Sequence, residues 1–82
     1  MEAYKVIYWD ECETTQDMWE HIEIVERGHL VKFVEWLQRE ERIYKENYEI
    51  FMEKHPYGVQ TEQDAIELLR TDGWAVEEII VQ

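Results

Sequence analysis

Residues 3–9 read AYKVIYW, and this stretch decides the fold. Its β-branched and aromatic side chains suit the pleated surface of a strand. Alternation with a period of two separates the side chains into two faces, with Tyr4, Val6 and Tyr8 on one and Lys5, Ile7 and Trp9 on the other. Both faces are largely apolar, which predicts a strand at the centre of a sheet.

A second strand is predicted at residues 18–26, MWEHIEIVE, after a polar loop at residues 10–17, DECETTQD. Alternation places Met18, Ile22 and Ile24 on one face, with Glu20 among them. Strands that follow each other across a short loop usually pair. The first 26 residues are therefore predicted to form a hairpin.

After Gly28 the hydrophobic period changes from two to between three and four, which is typical of an amphipathic helix. The stripe consists of Leu30, Val34, Leu37, Tyr44, Tyr48 and Phe51, with Glu41 as its polar exception. Pro56 ends the pattern, because the residue before a proline avoids helical geometry. We expect one long helix over residues 29–54. The alternative is a break near residues 40–47, with YEIF at 48–51 as a short strand.

The last third of the chain predicts a short helix and a strand. Thr61 and Asp64 have the spacing of a capping box, and Asp72-Gly73 signals a turn. Residues 74–81, WAVEEIIV, then form the closing strand. The predicted fold is a single α+β domain over residues 1–82, in the order β-β-α-α-β. A three-stranded antiparallel sheet, made of the hairpin and the C-terminal strand, carries one long and one short helix on one face.

The amino-acid composition argues against a disordered, membrane-spanning or secreted protein. Hydrophobic residues make up 45% of the chain, which is too many for a disordered acidic segment. No apolar run approaches about 18 residues, so no membrane span is predicted. The N-terminal residues lack the basic and apolar regions of a signal peptide. Cys12 is the single cysteine and fits a reducing compartment. The expected location is the cytoplasm of a bacterial host.

The charge is strongly acidic and unevenly distributed. Twenty acidic and eight basic residues give a net charge of −12. Eight acids and one base lie in residues 1–26, six of each in residues 27–54, and six acids and one base in residues 55–82. Such a field repels nucleic acid and membranes and attracts basic protein surfaces. The alternative is that the charge serves solubility only.

No pattern in the sequence predicts catalysis, a metal or a cofactor. The chain has no glycine-rich phosphate loop, no paired cysteines, no H-x-x-x-H spacing and no serine. Cys12 lies between Glu11 and Glu13, whose negative charges disfavour a reactive thiolate. Glu20 lies on an apolar face, where a carboxylate can act as an acid. We interpret it instead as a rim residue with its carboxylate in water.

Two functional hypotheses remain. The first is a small acidic protein-binding module that mimics the charge of nucleic acid and occupies a basic surface of a nucleic-acid-binding protein. Its small size, acidity and lack of motifs resemble phage-encoded inhibitors of host proteins, without a match to one family. Its predicted partner-binding residues combine loop and strand acids with an aromatic anchor: Asp10, Glu11, Glu13, Asp17, Trp19, Glu20, Glu23 and Glu26. The second is a structural protein or homodimer.

Overall fold

The fold comes from a computed structural model, which describes residues 1–11 and 18–82, with the backbone alone at residues 10, 11, 18 and 19. The described residues form an α+β fold, as predicted. Its elements in chain order are β1 (Glu2–Glu11), β2 (Met18–Glu26), α1 (Leu30–Arg39), α2 (Lys45–Lys54), α3 (Glu62–Thr71) and β3 (Ala75–Ile80). The order is therefore β-β-α-α-α-β, with one helix more than predicted.

The three strands form an antiparallel sheet in the order β2-β1-β3. β1 lies at the centre, as its two apolar faces predict. Ile7 lies opposite Ile22 on one side and Ala75 on the other. Residues that lie opposite each other point to the same face of a sheet. This register therefore fixes which side chains of the three strands share a face.

The prediction of one long helix over residues 29–54 is wrong, because the chain turns between α1 and α2. Glu41 adopts a left-handed backbone conformation with φ of 55°. The N–H of Arg42 donates to the carbonyl of Leu37 at 2.9 Å, and the N–H of Glu41 donates to that of Gln38 at 3.1 Å. These two bonds form a Schellman motif, which ends the helix. The break falls where the alternative expected it, but residues 48–51 are helical.

The burial of individual residues explains why the apolar stripe wrongly predicted one continuous helix. Two of its members, Glu41 and Tyr44, are exposed, whereas Ile43 lies off the stripe and is buried. A turn at residues 40–44 lets Ile43 reach the core, and burying such a side chain contributes about 1.5–3 kcal/mol. Apolar residues on both sides of the break kept nearly the same spacing by coincidence.

The helices pack together through α3, which contacts α1, α2 and β3. Thr61 and Asp64 form the predicted capping box at its N-terminus. The core that joins helices to sheet contains Tyr4, Val6, Val25, Leu30, Val34, Leu37, Phe51, Leu68, Leu69, Trp74 and Val76. None of the described helices is long and apolar enough to cross a membrane.

Candidate protein-binding surface

The described helices cover one face of the sheet and leave the other uncovered. Tyr4 and Val6 of β1 belong to the core cluster with the helical side chains. Ala3 and Ile7 point the other way and do not belong to it. We call this second side the open face. By the strand register it carries Ala3, Lys5, Ile7 and Trp9 from β1, Glu20, Ile22, Ile24 and Glu26 from β2, and Ala75, Glu77 and Ile79 from β3.

The centre of the open face is apolar and partly exposed. Trp9, Ile22 and Ile24 expose 41%, 47% and 49% of their surface. Ile7 is buried, although it lies outside the core cluster. Its cross-strand neighbours on this face are Ile22 and Ala75. The open face therefore carries a partly exposed apolar patch of Trp9, Ile22 and Ile24 beside the buried Ile7, and Lys5 lies between Ile7 and the buried Ala3.

Acidic residues surround this apolar centre. Glu26 lies next to Ala3, Glu77 next to Lys5, and Glu20 next to Trp9. All three glutamates are exposed. Lys5 is the one basic residue that the register places on the open face, and it is half-buried. The surface therefore combines an apolar centre with a net negative border.

The structure separates the predicted site residues by strand alternation. Glu20 and Glu26 lie on the open face, whereas Glu23 pairs with Val6 and points to the opposite side. Asp10, Glu11 and Trp19 belong to β1 and β2 by backbone pairing. Glu13 and Asp17 lie outside the described residues, as does Cys12. Of the β2 acids, the structure thus places Glu20 and Glu26 on the open face, at opposite ends of the strand, and Glu23 on the other face.

A groove runs between β2 and α1 and was not predicted. It has a volume of about 640 Å³, and its lining includes Ile24, Phe33 and Trp36. The rings of Phe33 and Trp36 stack with centroids 6.1 Å apart. The guanidinium of Arg42 lies 5.6 Å from the centroid of the Trp36 ring, within cation–π range. The sequence signal was present, because both aromatics lie off the buried stripe of α1.

Some acids of the C-terminal third are engaged inside the fold. The hydroxyl of Tyr4 donates to Glu62 Oε2 at 2.7 Å, and the N–H of Gly28 donates to Glu62 Oε1. The hydrogen bond to Glu62 raises the pKa of Tyr4, and burial adds to this. Glu62 thus joins the turn between β2 and α1 to α3. Its carboxylate is committed to the fold.

Asp64 is committed in the same way. Its Oδ2 accepts from the N–H of Gln60 at 3.1 Å and from the N–H of Thr61 at 3.2 Å. These backbone hydrogen bonds, that of Gln60 foremost, lower the pKa of Asp64. The first turn of α3 is therefore stabilised by a carboxylate in its charged form.

His55 joins the end of α2 to α3. Its ring stacks on Phe51 with centroids 4.6 Å apart. Its Nδ1 lies 3.6 Å from Asp64 Oδ1, and its Nε2 contacts Glu67 Oε2. Across residues 1–11 and 18–82, no group of three or more His, Cys, Asp or Glu side chains is arranged to hold a metal ion. The contacts of His55 connect two helices.

Comparison with known proteins gave no match, whether to family models, to curated proteins or to solved structures.

Proposed function

We propose that this protein acts by binding another protein through the open face. The observation that carries the proposal is the uncovered apolar surface around Trp9, Ile22 and Ile24. Contiguous exposed apolar surface bordered by polar residues is typical of interaction sites. Trp9 belongs to the residue types that most often dominate binding energy. Trp9 is the anchor in this proposal, and the predicted role of Trp19, whose side chain lies outside the described residues, stays a prediction.

The charges of this protein indicate which kind of partner the open face would bind. Glu20, Glu26 and Glu77 border the open face, and the whole chain carries −12. A partner with an apolar patch and a basic border complements this surface, and the opposite charges accelerate its association. Proteins that bind nucleic acid offer such basic surfaces. The specific form of the proposal is therefore an inhibitor that occupies the basic surface of a nucleic-acid-binding protein.

A homodimer through the open face is the second candidate, since a flat apolar sheet face suits sheet-on-sheet packing. A two-fold dimer brings the same patch of both subunits together. Two copies of the open face, each with Glu20, Glu26 and Glu77 and with Lys5 as the one basic residue, then meet with a net negative charge on both sides. Like charges in contact oppose this association, and for this reason we favour a basic partner.

The proposal is tested by Trp9→Ala, with Tyr44→Ala as its control. Tyr44 is also an exposed aromatic residue, but it lies at the start of α2, on the helical side. Immobilised wild-type protein and both variants are compared for proteins captured from bacterial lysate at low and high salt. We expect Trp9→Ala alone to lose the salt-sensitive partner, by at least about tenfold. Equal capture by all three proteins contradicts the proposal.

Sedimentation of the purified protein decides between the two candidates. A basic partner predicts a monomer at micromolar concentration, whereas the second candidate predicts a dimer that Trp9→Ala dissociates. A dimer that is strengthened by salt indicates that charge repulsion had limited self-association.

A further inference from the structure

The free edge of β2 has backbone groups that no described element pairs. β2 is an edge strand, because β1 is its one neighbour in the sheet. The N–H of Arg27 donates to the carbonyl of Glu2 at 3.0 Å. In an antiparallel pair, hydrogen-bonded and non-hydrogen-bonded positions alternate along the strand. Counting back from Arg27, the N–H and C=O groups of Glu20, Ile22 and Ile24 point away from β1, as does the carbonyl of Glu26, which accepts from the N–H of His29 at 3.0 Å.

The other edge of the sheet, formed by β3, differs because a side chain binds one of its outward-facing carbonyls. The same alternation, counted from the hydrogen bond between the N–H of Val81 and the carbonyl of Met1, turns the carbonyl of Val76 away from β1. Arg70 Nη2 donates to that carbonyl at 3.4 Å. β3 has six residues against nine in β2. The longer edge, without such a side-chain contact in the described residues, is therefore the better template for another strand.

The groove beside β2 offers room for the side chains of an added strand. Phe33 and Trp36 of α1 form one wall, and Glu23 and Val25 of β2, which face the helices, contribute to the other. An extended peptide along β2 would alternate its side chains between this groove and the open face. Backbone hydrogen bonds would supply affinity and the groove would supply specificity, as in other cases of strand addition.

The charge of β2 indicates which kind of segment would pair with its free edge. Edge strands are usually protected from unspecific pairing by charged side chains, lysine above all, or by proline. The charged side chains of β2 are Glu20, Glu23 and Glu26, with no lysine or arginine. A second copy of β2 paired in full register would place glutamates beside glutamates, and like charges across strands destabilise pairing. Lysine or arginine in the added strand would complement all three.

We propose that β2 binds an extended basic segment of the partner protein as a fourth strand of the sheet. The inference rests on the proposed function, because it specifies how a basic partner is held. The segment has basic residues beside the glutamates and apolar residues beside Ile22 and Ile24. Its binding extends the open face by one strand.

The probe is the heptapeptide Lys-Thr-Val-Lys-Val-Thr-Lys, which has the same order of side chains in both directions. It therefore places lysines beside Glu20, Glu23 and Glu26 whether it runs parallel or antiparallel to β2. Amide hydrogen exchange is followed by NMR. We expect exchange at Ile22 and Ile24 to slow about tenfold when about nine-tenths of the protein carries the peptide, because exchange then proceeds from the free fraction.

Two methylated peptides separate strand addition from attraction by charge. One is N-methylated at both valines and the other at both threonines, which removes donors from opposite edges of the peptide. Only one edge of an added strand faces β2, so one methylated peptide should lose at least about tenfold in affinity and the other should retain it. A peptide with glutamate in place of lysine should not bind.

Ile24→Pro tests the same edge from the protein side. It removes an N–H that points away from β1, and proline is tolerated at such edge positions. Ile24→Thr retains the N–H and is its control. If the proline variant does not fold, the methylated peptides still decide the question.

The inference is overturned if the peptide leaves the exchange of Ile22 and Ile24 unchanged, if both methylated peptides bind like the parent, or if the glutamate peptide binds equally well. Trp9 lies on the central strand, so Trp9→Ala does not alter the edge of β2. If partner capture depends on Trp9 but the peptide does not protect the β2 edge, the proposed function is supported and only the strand addition is contradicted. Peptide protection of the β2 edge, with partner capture that does not depend on Trp9, would contradict binding through the open face and support strand addition at the edge.

Discussion

The indole Nε1 of Trp74 donates a hydrogen bond of 2.9 Å to Asp72 Oδ2, at the turn between α3 and β3. The other oxygen, Oδ1, accepts from Asn47 Nδ2 at 2.7 Å and from the N–H of Tyr44 at 3.2 Å. Trp74 is buried and stacks on Tyr8 with centroids 4.6 Å apart. One carboxylate therefore connects the start of α2 to the aromatic side chain that precedes β3.

We expect Asp72→Ala to destabilise the protein by about 1–3 kcal/mol, because it leaves the buried indole N–H and the start of α2 without their acceptor. Glu77→Ala, which removes an exposed carboxylate of β3, should change the free energy of unfolding by less than about 0.5 kcal/mol. Urea unfolding of both variants measures the difference. Equal effects would show that the Asp72 hydrogen bonds contribute nothing net.

The left-handed conformation of Glu41, with φ of 55°, gives a second prediction. That conformation costs a residue other than glycine about 1–2 kcal/mol, whereas glycine adopts it freely and loses about 0.5–1 kcal/mol through chain entropy. Glu41→Gly should therefore raise the free energy of unfolding by up to about 1 kcal/mol. Glu40 has φ of −85°, so Glu40→Gly should lower it. Thermal unfolding of the two glycine variants checks the opposite signs.

Asp64 predicts a dependence of stability on pH. Its pKa is lowered in the folded protein from an ordinary value of 3.8, so its charged form stabilises the fold. This contribution is complete above the unfolded pKa and is lost as pH falls through the folded pKa. Asp64→Asn should therefore be less stable than the wild type near about pH 7, and the difference should shrink near about pH 3. Urea unfolding at both pH values measures it, and a difference independent of pH would contradict the assignment.

Local patterns predicted much of the fold. Alternation in residues 3–9 placed β1 at the centre of the sheet and assigned its side chains to the correct faces. The spacing of Thr61 and Asp64 predicted the capping box of α3. These features follow from interactions between residues a few positions apart, which a sequence displays directly.

The helical region shows where local patterns fail. A left-handed residue at Glu41 is not signalled by a glycine, and the apolar spacing continues across the turn. What decides the break is the burial of Ile43 in a core formed by distant parts of the chain. The sequence shows that Phe33 and Trp36 lie off the buried stripe of α1, but not that β2 lies beside them, because α1 and β2 meet there only after folding.

The sequence by itself determined the α+β class, the central strand, the acidity and the capping of α3, because periodicity, charge and short-range hydrogen bonding are local properties. Tertiary structure alone decided that the helices share one side of the sheet, which leaves Trp9, Ile22 and Ile24 uncovered. It also decided that Glu62, Asp64 and Asp72 serve the fold, while Glu20 and Glu26 border the open face. The physical reason is that a side chain's exposure and partners depend on contacts between segments far apart in the chain, and the packing of the whole core sets those contacts.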